Sequence, residues 1–204
     1  MYKIAVLVSG GGSNFVAVAE AVRDGFIKDC TISCVISDNP NARAIDKAET
    51  LGIKSYVLDR KVYRQDLSGK ILELLNFVGG VDLIVLGGFL SILNGDILQK
   101  YHNRIINIHP SLIPSFCGNG MYGLKVHQAA IDYGVKITGC TVHLVDDGTD
   151  TGAIVLQHAV DVDTDDAKQL QTKVLVEEHK AIVEAVKLFA ENRISIDGRS
   201  VKIV

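Results

Sequence analysis

Five short apolar runs, separated by turns and helical patterns, dictate most of the architecture. They are Lys3–Val8, Thr31–Ser37, Lys54–Leu58, Asp82–Leu86 and Ile105–His109. Runs this short and this rich in Val, Ile and Leu read as strands buried on both faces. Helical patterns lie between them, from the Ser9–Asn14 segment to about Arg23, from the turn Asp38–Asn41 to about Leu51 with Gly52 as its stop, and at Asp66–Phe77. Strands alternating with helices predict the α/β class: a Rossmann-like, doubly wound, mostly parallel sheet with helices on both faces. Two later strands are expected at Lys136–Val145 and Ala153–Val160, and two later helices at Gly123–Tyr133 and Asp166–Asn192. A small hairpin is expected from Ile194 to Val204, turning at Asp197-Gly198.

The chain has 204 residues, 48% of them hydrophobic and 22% charged. That suits one domain over residues 1–204 with a full core. The net charge of −3 argues against a general binder of nucleic acid or anionic membrane, but leaves room for one small anionic ligand. The first residues read as a strand that starts at once, with no signal-peptide layout, and no apolar run is long enough to span a bilayer. A cytoplasmic protein is expected, with small-molecule substrates and neither nucleic acid nor membrane as partner. Cys30 and Cys34, four positions apart in a strand, stand roughly 13 Å apart, too far for a disulfide or a shared metal. Reduced core thiols are expected, and the histidines show no metal-ligand spacing.

In an open sheet of this kind ligands bind beyond the carboxyl ends of the strands. After the first strand comes Ser9-Gly10-Gly11-Gly12-Ser13-Asn14, then a helix. Strand, glycine loop and helix together present backbone N–H groups to an anion. The plainer alternative is a tight turn that binds nothing. The dinucleotide fingerprint G-x-G-x-x-G fails, because Phe15 stands at its last glycine, and no Gly-Lys-Ser/Thr follows as in a triphosphate loop. A monophosphate fits this loop better than either.

The chemistry is expected at the fifth strand. Alternate strand residues share a face, so Asn107 and His109 point the same way, an amide donor beside a titratable base. Gly87 to Leu93 forms an apolar loop after the fourth strand, suited either to a flat ligand or to a packed corner. Ser111 to Tyr122 reads as a long loop placed to act as a lid. His127 follows on a helix, where a solvated or capping role is the commoner fate. Asp146, Asp147 and Asp150 crowd the loop between the last two long strands. They form a solvated turn, or one of them turns inward to pair with His109; the residues alone leave open which. Glu178 interrupts the apolar stripe Leu170, Val174, Ile182, Ala185, Phe189 of the last helix, so it needs an internal partner or a ligand cation.

Taken together, these residues resemble the folate-dependent phosphoribosylglycinamide formyltransferases, within the group of formyl-folate transferases and hydrolases. The resemblance covers nearly the whole chain. It rests on Ser9-Gly-Gly-Gly-Ser-Asn14, Gly87-Gly-Phe-Leu-Ser-Ile-Leu93, Asn107-Ile-His-Pro-Ser-Leu-Ile-Pro114, Gly139-Cys-Thr-Val-His143, Asp150-Thr-Gly152 and Glu178-His179. It implies formyl transfer from 10-formyltetrahydrofolate, a co-substrate, to the amine of glycinamide ribonucleotide, without a metal. It implies a phosphate-binding half over residues 1–100 and a catalytic and folate-binding half over residues 101–204. Asn107, His109 and Asp150 would be catalytic, with Asp150 raising the histidine's pKa so that a protonated His109 can share the oxyanion with Asn107. Gly11, Gly12, Ser13 and Asn14 would hold the phosphate, and Glu178 would meet the amine. Leu90, Ser91, Ile92, Leu93 and Asn107 would border the folate, with Ser91 standing where the family often has arginine. The family also uses an arginine before the third helix, for which Arg64 is the nearest candidate. A monomer or homodimer is expected. A formyltetrahydrofolate hydrolase would use the same three residues with water as acceptor, but resembles a longer chain with an N-terminal regulatory domain. A methionyl-tRNA formyltransferase would add a basic C-terminal domain. A non-catalytic nucleotide-binding module would leave Asn107, His109 and Glu178 without purpose.

Overall fold

The computed structural model describes residues 1–204. Its main sheet is built from β1 (Tyr2–Val8), β2 (Cys30–Ser37), β3 (Ser55–Val57), β4 (Leu83–Leu86), β5 (Ile105–His109), β6 (Ile137–Leu144) and β7 (Ile154–Asp161). The strands lie in the order β3-β2-β1-β4-β5-β6-β7. The first five pair in parallel, and β6 and β7 add antiparallel to β5. The mostly parallel sheet expected from the sequence is present. Strand order reverses between β1 and β4, which opens a crevice at their carboxyl ends. The glycine loop leaves β1 there, the Gly87–Leu93 segment leaves β4, and His109 ends β5.

The helices are α1 (Ser13–Arg23), α2 (Ala44–Thr50), α3 (Arg60–Tyr63), α4 (Leu67–Phe77), α5 (Asp96–Lys100), α6 (Leu124–Tyr133) and α7 (Ala167–Ala190). One core joins α1, α2 and α7 to one face of the sheet through Phe15, Val18, Ala44, Val174 and Ile182. The other joins α4 and α5 to the opposite face through Leu67, Ile71, Leu75, Ile97 and Tyr101. The α7 stripe is buried as expected, with Glu178 inside it. No helix is long and apolar enough to cross a membrane.

Three elements differ from expectation: the one-turn α3, which buries no residue, α5, and the register of β2. The turn and a half of α5 buries only Ile97, too little for a helical period to register in the sequence. In β2 the pairing to β1 slips at Ser33, since Ile4 faces Ile32 and Ala5 faces Cys34. That bulge sends Cys30 and Cys34 to opposite cores, where both are buried free thiols. The terminal hairpin, β8 (Ile194–Asp197) and β9 (Ser200–Ile203), forms where expected. It is tied to the body by Arg199, which donates to the Thr151 carbonyl at 2.7 Å.

Phe15 is fully buried where the dinucleotide fingerprint would carry its last glycine. It fills the space between α1 and the sheet, so the loop ahead of it is braced by a ring. Phe15→Ala should lower unfolding free energy by about 3–5 kcal/mol, read as a fall in the urea midpoint at unchanged slope. A loss under about 1 kcal/mol would show that the ring is not the wedge.

Candidate active site

A cavity of about 770 Å³ opens at the switch point. Its walls are the glycine loop, Leu86–Leu93, Asn107–Pro110, Gly118–Gly123, Asp150 and one side of α7 at Gln171, Leu175 and Glu178. Every site residue expected from the sequence lines it except Arg64.

The antiparallel ladder of β5 and β6 sets Asn107 opposite His143 and His109 opposite Thr141. His143 Nδ1 lies 2.8 Å from the Leu144 carbonyl, which can only accept, so Nδ1 carries the proton. In the neutral ring Nε2 then accepts, and it takes one N–H of the Asn107 amide at 3.1 Å. This leaves the second Asn107 N–H for the cavity. His143 belongs to the sequence motif Gly139–His143, but its role was not read there. The signal was a histidine two positions after Thr141, on the same face of one strand.

Beyond β6 the chain turns back through Asp146–Gly152. Asp146 caps this turn, accepting from the Gly148 amide at 3.1 Å and from the Thr151 hydroxyl at 2.6 Å. Asp150 takes left-handed backbone, φ 59°. At Gly152 a methyl group would lie 1.7 Å from the Leu144 carbonyl oxygen, so only glycine fits. Together these constraints aim Asp150 inward. Its Oδ2 is 3.6 Å from His109 Nδ1 and its Oδ1 is 3.6 Å from His143 Nε2. Both separations are longer than a hydrogen bond, and each becomes an ion pair only when the ring is protonated.

The loop after β5 is rooted by Thr141, whose hydroxyl donates to the Ser111 carbonyl at 2.7 Å and accepts from the Ile113 amide at 3.0 Å. Its tip touches both partners of the dyad. His109 Nε2 donates to the Phe116 carbonyl at 2.9 Å, and the Gly118 amide donates to Asp150 Oδ2 at 2.8 Å. With Nε2 protonated, His109 Nδ1 turns a lone pair toward the Asp150 carboxylate. Burial pushes the His109 pKa below its ordinary 6.5, outweighing the Phe116 carbonyl and Asp150, which pull it up. This corrects the expectation of a raised pKa: at 3.6 Å the carboxylate does not offset desolvation of a ring that is 4% exposed. For Asp150 burial acts upward, but His143, the Gly118 amide and His109 together hold its pKa below the ordinary value. The resting pair is therefore an ionised Asp150 beside a neutral imidazole.

His127 is neither solvated nor capping. It is 1% exposed, lines the cavity, and its Nδ1 is buried without a partner. Burial and the neighbouring His109 push its pKa down to about 4.

At the other end of the cavity, Gly12 holds left-handed backbone at φ 66° and precedes α1. The amides of Gly10, Gly11, Gly12, Ser13, Asn14 and Phe15 donate to no group of the protein, which makes an anion nest. Asn14 Nδ2 donates to Glu178 Oε2 at 2.9 Å, and Asn14 Oδ1 is buried without a partner. Burial raises the Glu178 pKa, with the Asn14 hydrogen bond acting against it.

On the remaining wall Leu90 and Ile92 expose apolar side chains, and Leu93 turns into the core. The Leu90 amide is fixed by Ser9 Oγ at 2.8 Å. Ser91 donates instead to buried Asp38 Oδ2 at 2.5 Å. Arg64 is exposed, points its Nε at the Lys61 carbonyl and does not reach the cavity. The arginine beside this wall is Arg60, whose Nη1 is 3.3 Å from the same Asp38 oxygen that Ser91 holds. Chain positions 60 and 64 are one helical turn apart, and only the fold separates them.

The formyl transferase family matches residues 2–186. The chain is 37% identical to the chloroplastic phosphoribosylglycinamide formyltransferase of Arabidopsis thaliana, over 94% of this chain and 66% of that protein. It is 36% identical to the human trifunctional purine biosynthetic protein adenosine-3, over 98% of this chain. It thus spans just under two thirds of the first relative and 19% of the second. The crystal structure of glycinamide ribonucleotide transformylase 1 from Symbiobacterium toebii superposes with a TM-score of 0.92 at 39% identity, covering 100% of this chain and 94% of that one.

Two titrations test this electrostatic picture. Asp150 pulls the His109 pKa upward, so Asp150→Asn should lower it further, and the imidazole should stay neutral to lower pH. An NMR titration of the ring reads this, and a shift to higher pH would overturn it. His127 binds its proton at about pH 4 when folded and at about 6.5 when unfolded. The unfolded state therefore binds more protons as pH falls from about 6.5, and stability present above that value is lost toward pH 4. His127→Gln should remove about 2–3 kcal/mol of that acid loss, measured by urea unfolding at pH 7 and 4.5. An unchanged acid loss would mean that the ring is not buried neutral.

Proposed function

The chain belongs to the formyl transferase family, and we propose that it moves the formyl group of 10-formyltetrahydrofolate onto the amine of glycinamide ribonucleotide. One observation carries the reading. A single cavity holds a nest of unpaired amides at one end and an amide–imidazole–carboxylate constellation at the other. The nest suits a phosphate, and the constellation suits acyl transfer.

In this reading residues 1–100 supply the nest, and residues 101–204 supply the chemistry. Gly11, Gly12, Ser13 and Asn14 hold the phosphate. Glu178, one hydrogen bond from Asn14 and lining the same cavity, meets the glycinamide amine. Exposed Leu90 and Ile92 and the backbone of Ser91 and Leu93 border the pterin, so the Ser91 hydroxyl, engaged by Asp38, makes no contact of its own.

The amine nitrogen attacks the formyl carbon, and the bond from that carbon to folate N10 breaks. The free N–H of Asn107 donates to the oxyanion. His109 is neutral at rest, so it enters as a base rather than as an oxyanion donor. It takes a proton from the attacking amine and passes it to N10. Asp150 steadies the imidazolium between these transfers. The bound substrates replace the Phe116 carbonyl on His109 Nε2, and the ring proton moves to Nδ1, facing Asp150, so that the Nε2 lone pair is free to take the amine's proton. Such chemistry needs only small, soluble substrates, in keeping with a cytoplasmic site of action.

His109→Ala should lower kcat by about 10²–10⁴, and Asp150→Ala should act in the same direction. Ribonucleotide affinity should stay within about threefold for both. The assay supplies 10-formyltetrahydrofolate with and without glycinamide ribonucleotide and follows tetrahydrofolate release. Release that requires the ribonucleotide supports the transferase. Release without it would make the chain a hydrolase, and no release would leave a binding module.

A further inference from the structure

We propose that Arg43 is a binding and specificity residue for the phosphate, making the site select a phosphomonoester dianion over a neutral nucleoside, with Lys47 holding the loop in place. The proposal rests on the reading above that a ribonucleotide occupies the cavity.

The amides of the nest are neutral dipoles, so they tell a dianion from a neutral hydroxyl only weakly. A guanidinium adds full charge and two parallel donors. Arg43 is the residue just before α2, and α2 is clamped to the glycine loop. The Ala44 amide donates to the Gly10 carbonyl at 3.1 Å, and Lys47 Nζ donates to the Gly11 carbonyl at 2.8 Å. A methyl group on Gly12 would sit 2.5 Å from Ala44 Cβ. The base of Arg43 is therefore fixed against the loop. Its Nη2 would lie 3.8 Å from a methyl group on Gly11, and the side chain is exposed with no ion pair or hydrogen bond of its own. Lys47 draws the Gly11 carbonyl to itself, turning the negative end of that peptide away from an incoming anion. Asn14 adds an independent sign that this end awaits a ligand, since its Oδ1 is buried, unpartnered and beside the nest. A cation free of partners, anchored beside unpaired amides, is placed to meet a phosphate.

The test uses the full chain with Arg43→Ala and Arg43→Lys, both at an exposed position that leaves the core intact. Inorganic phosphate is the binding probe, followed by calorimetry. Glycinamide ribonucleotide and its dephosphorylated ribonucleoside are the two substrates. Arg43→Ala should weaken phosphate binding and raise KM for the ribonucleotide by roughly five- to tenfold, with kcat within about twofold. The KM of the ribonucleoside should not move, and Arg43→Lys should recover most of the loss. Equal changes for both substrates, or unchanged phosphate affinity, would overturn the proposal. If phosphate weakens as expected while the protein turns over no ribonucleotide, the assigned reaction fails and the anion selection by Arg43 stands.

Discussion

The antiparallel ladder between β5 and β6 is the contact on which the site depends. In a purely parallel sheet the neighbour of β5 would present the same end of its own chain, and its following loop would leave in the same direction. Reversal instead lays His143 directly across from Asn107. It also returns the chain at a turn whose aspartate reaches His109. Gly152 completes this, because the backbone passes so close to Leu144 that no side chain fits between them. A carboxylate forty-one positions away from an imidazole in sequence is thus placed by one strand pairing and one glycine.

The pairing also settles protonation. The Leu144 carbonyl fixes the tautomer of His143, and that tautomer orients the Asn107 amide. The Phe116 carbonyl fixes the tautomer of His109. Two backbone carbonyls therefore decide which nitrogen donates and which accepts across the constellation. The charge balance follows from burial. Asp150 keeps its charge because the Gly118 amide donates to it and two imidazoles stand beside it, whereas His109 loses its own because one carboxylate at 3.6 Å does not replace water.

Strand periodicity and β-branching made the sheet readable from the sequence, and the glycine run after β1 marked the nest. Asn107 and His109 were readable as a pair because strand alternation is a local rule. Glu178 was readable because it broke a helical stripe. The remainder depends on distance in space. Which of three aspartates turns inward follows from the Gly152 contact, which no local pattern encodes. Arg60 and Arg64 look alike in the chain, and only the packing of β4's loop against Asp38 brings Arg60, and not Arg64, to the carboxylate that holds Ser91. The sign of the His109 shift needed its burial and separations. The α5 helix was missed because one buried side chain makes no period.

Folded proteins leave few buried polar atoms unpaired, since each costs about 1–3 kcal/mol. Here Asn14 Oδ1 and His127 Nδ1 lie in residues that line the cavity, and Asp38 Oδ1 belongs to the carboxylate that holds Ser91 against it. The unpaired amides of Gly10 to Phe15 join them. Three of the five buried unpaired side-chain atoms thus lie at or just behind one crevice, with Thr138 Oγ1 and His179 Nε2 elsewhere. A chain selected only for stability would pair these groups with one another or replace them. Their persistence around one space, with opposite hydrogen-bonding characters at its two ends, is what a two-substrate site requires: donors where an anion rests, and a base with an orienting amide where a bond is exchanged.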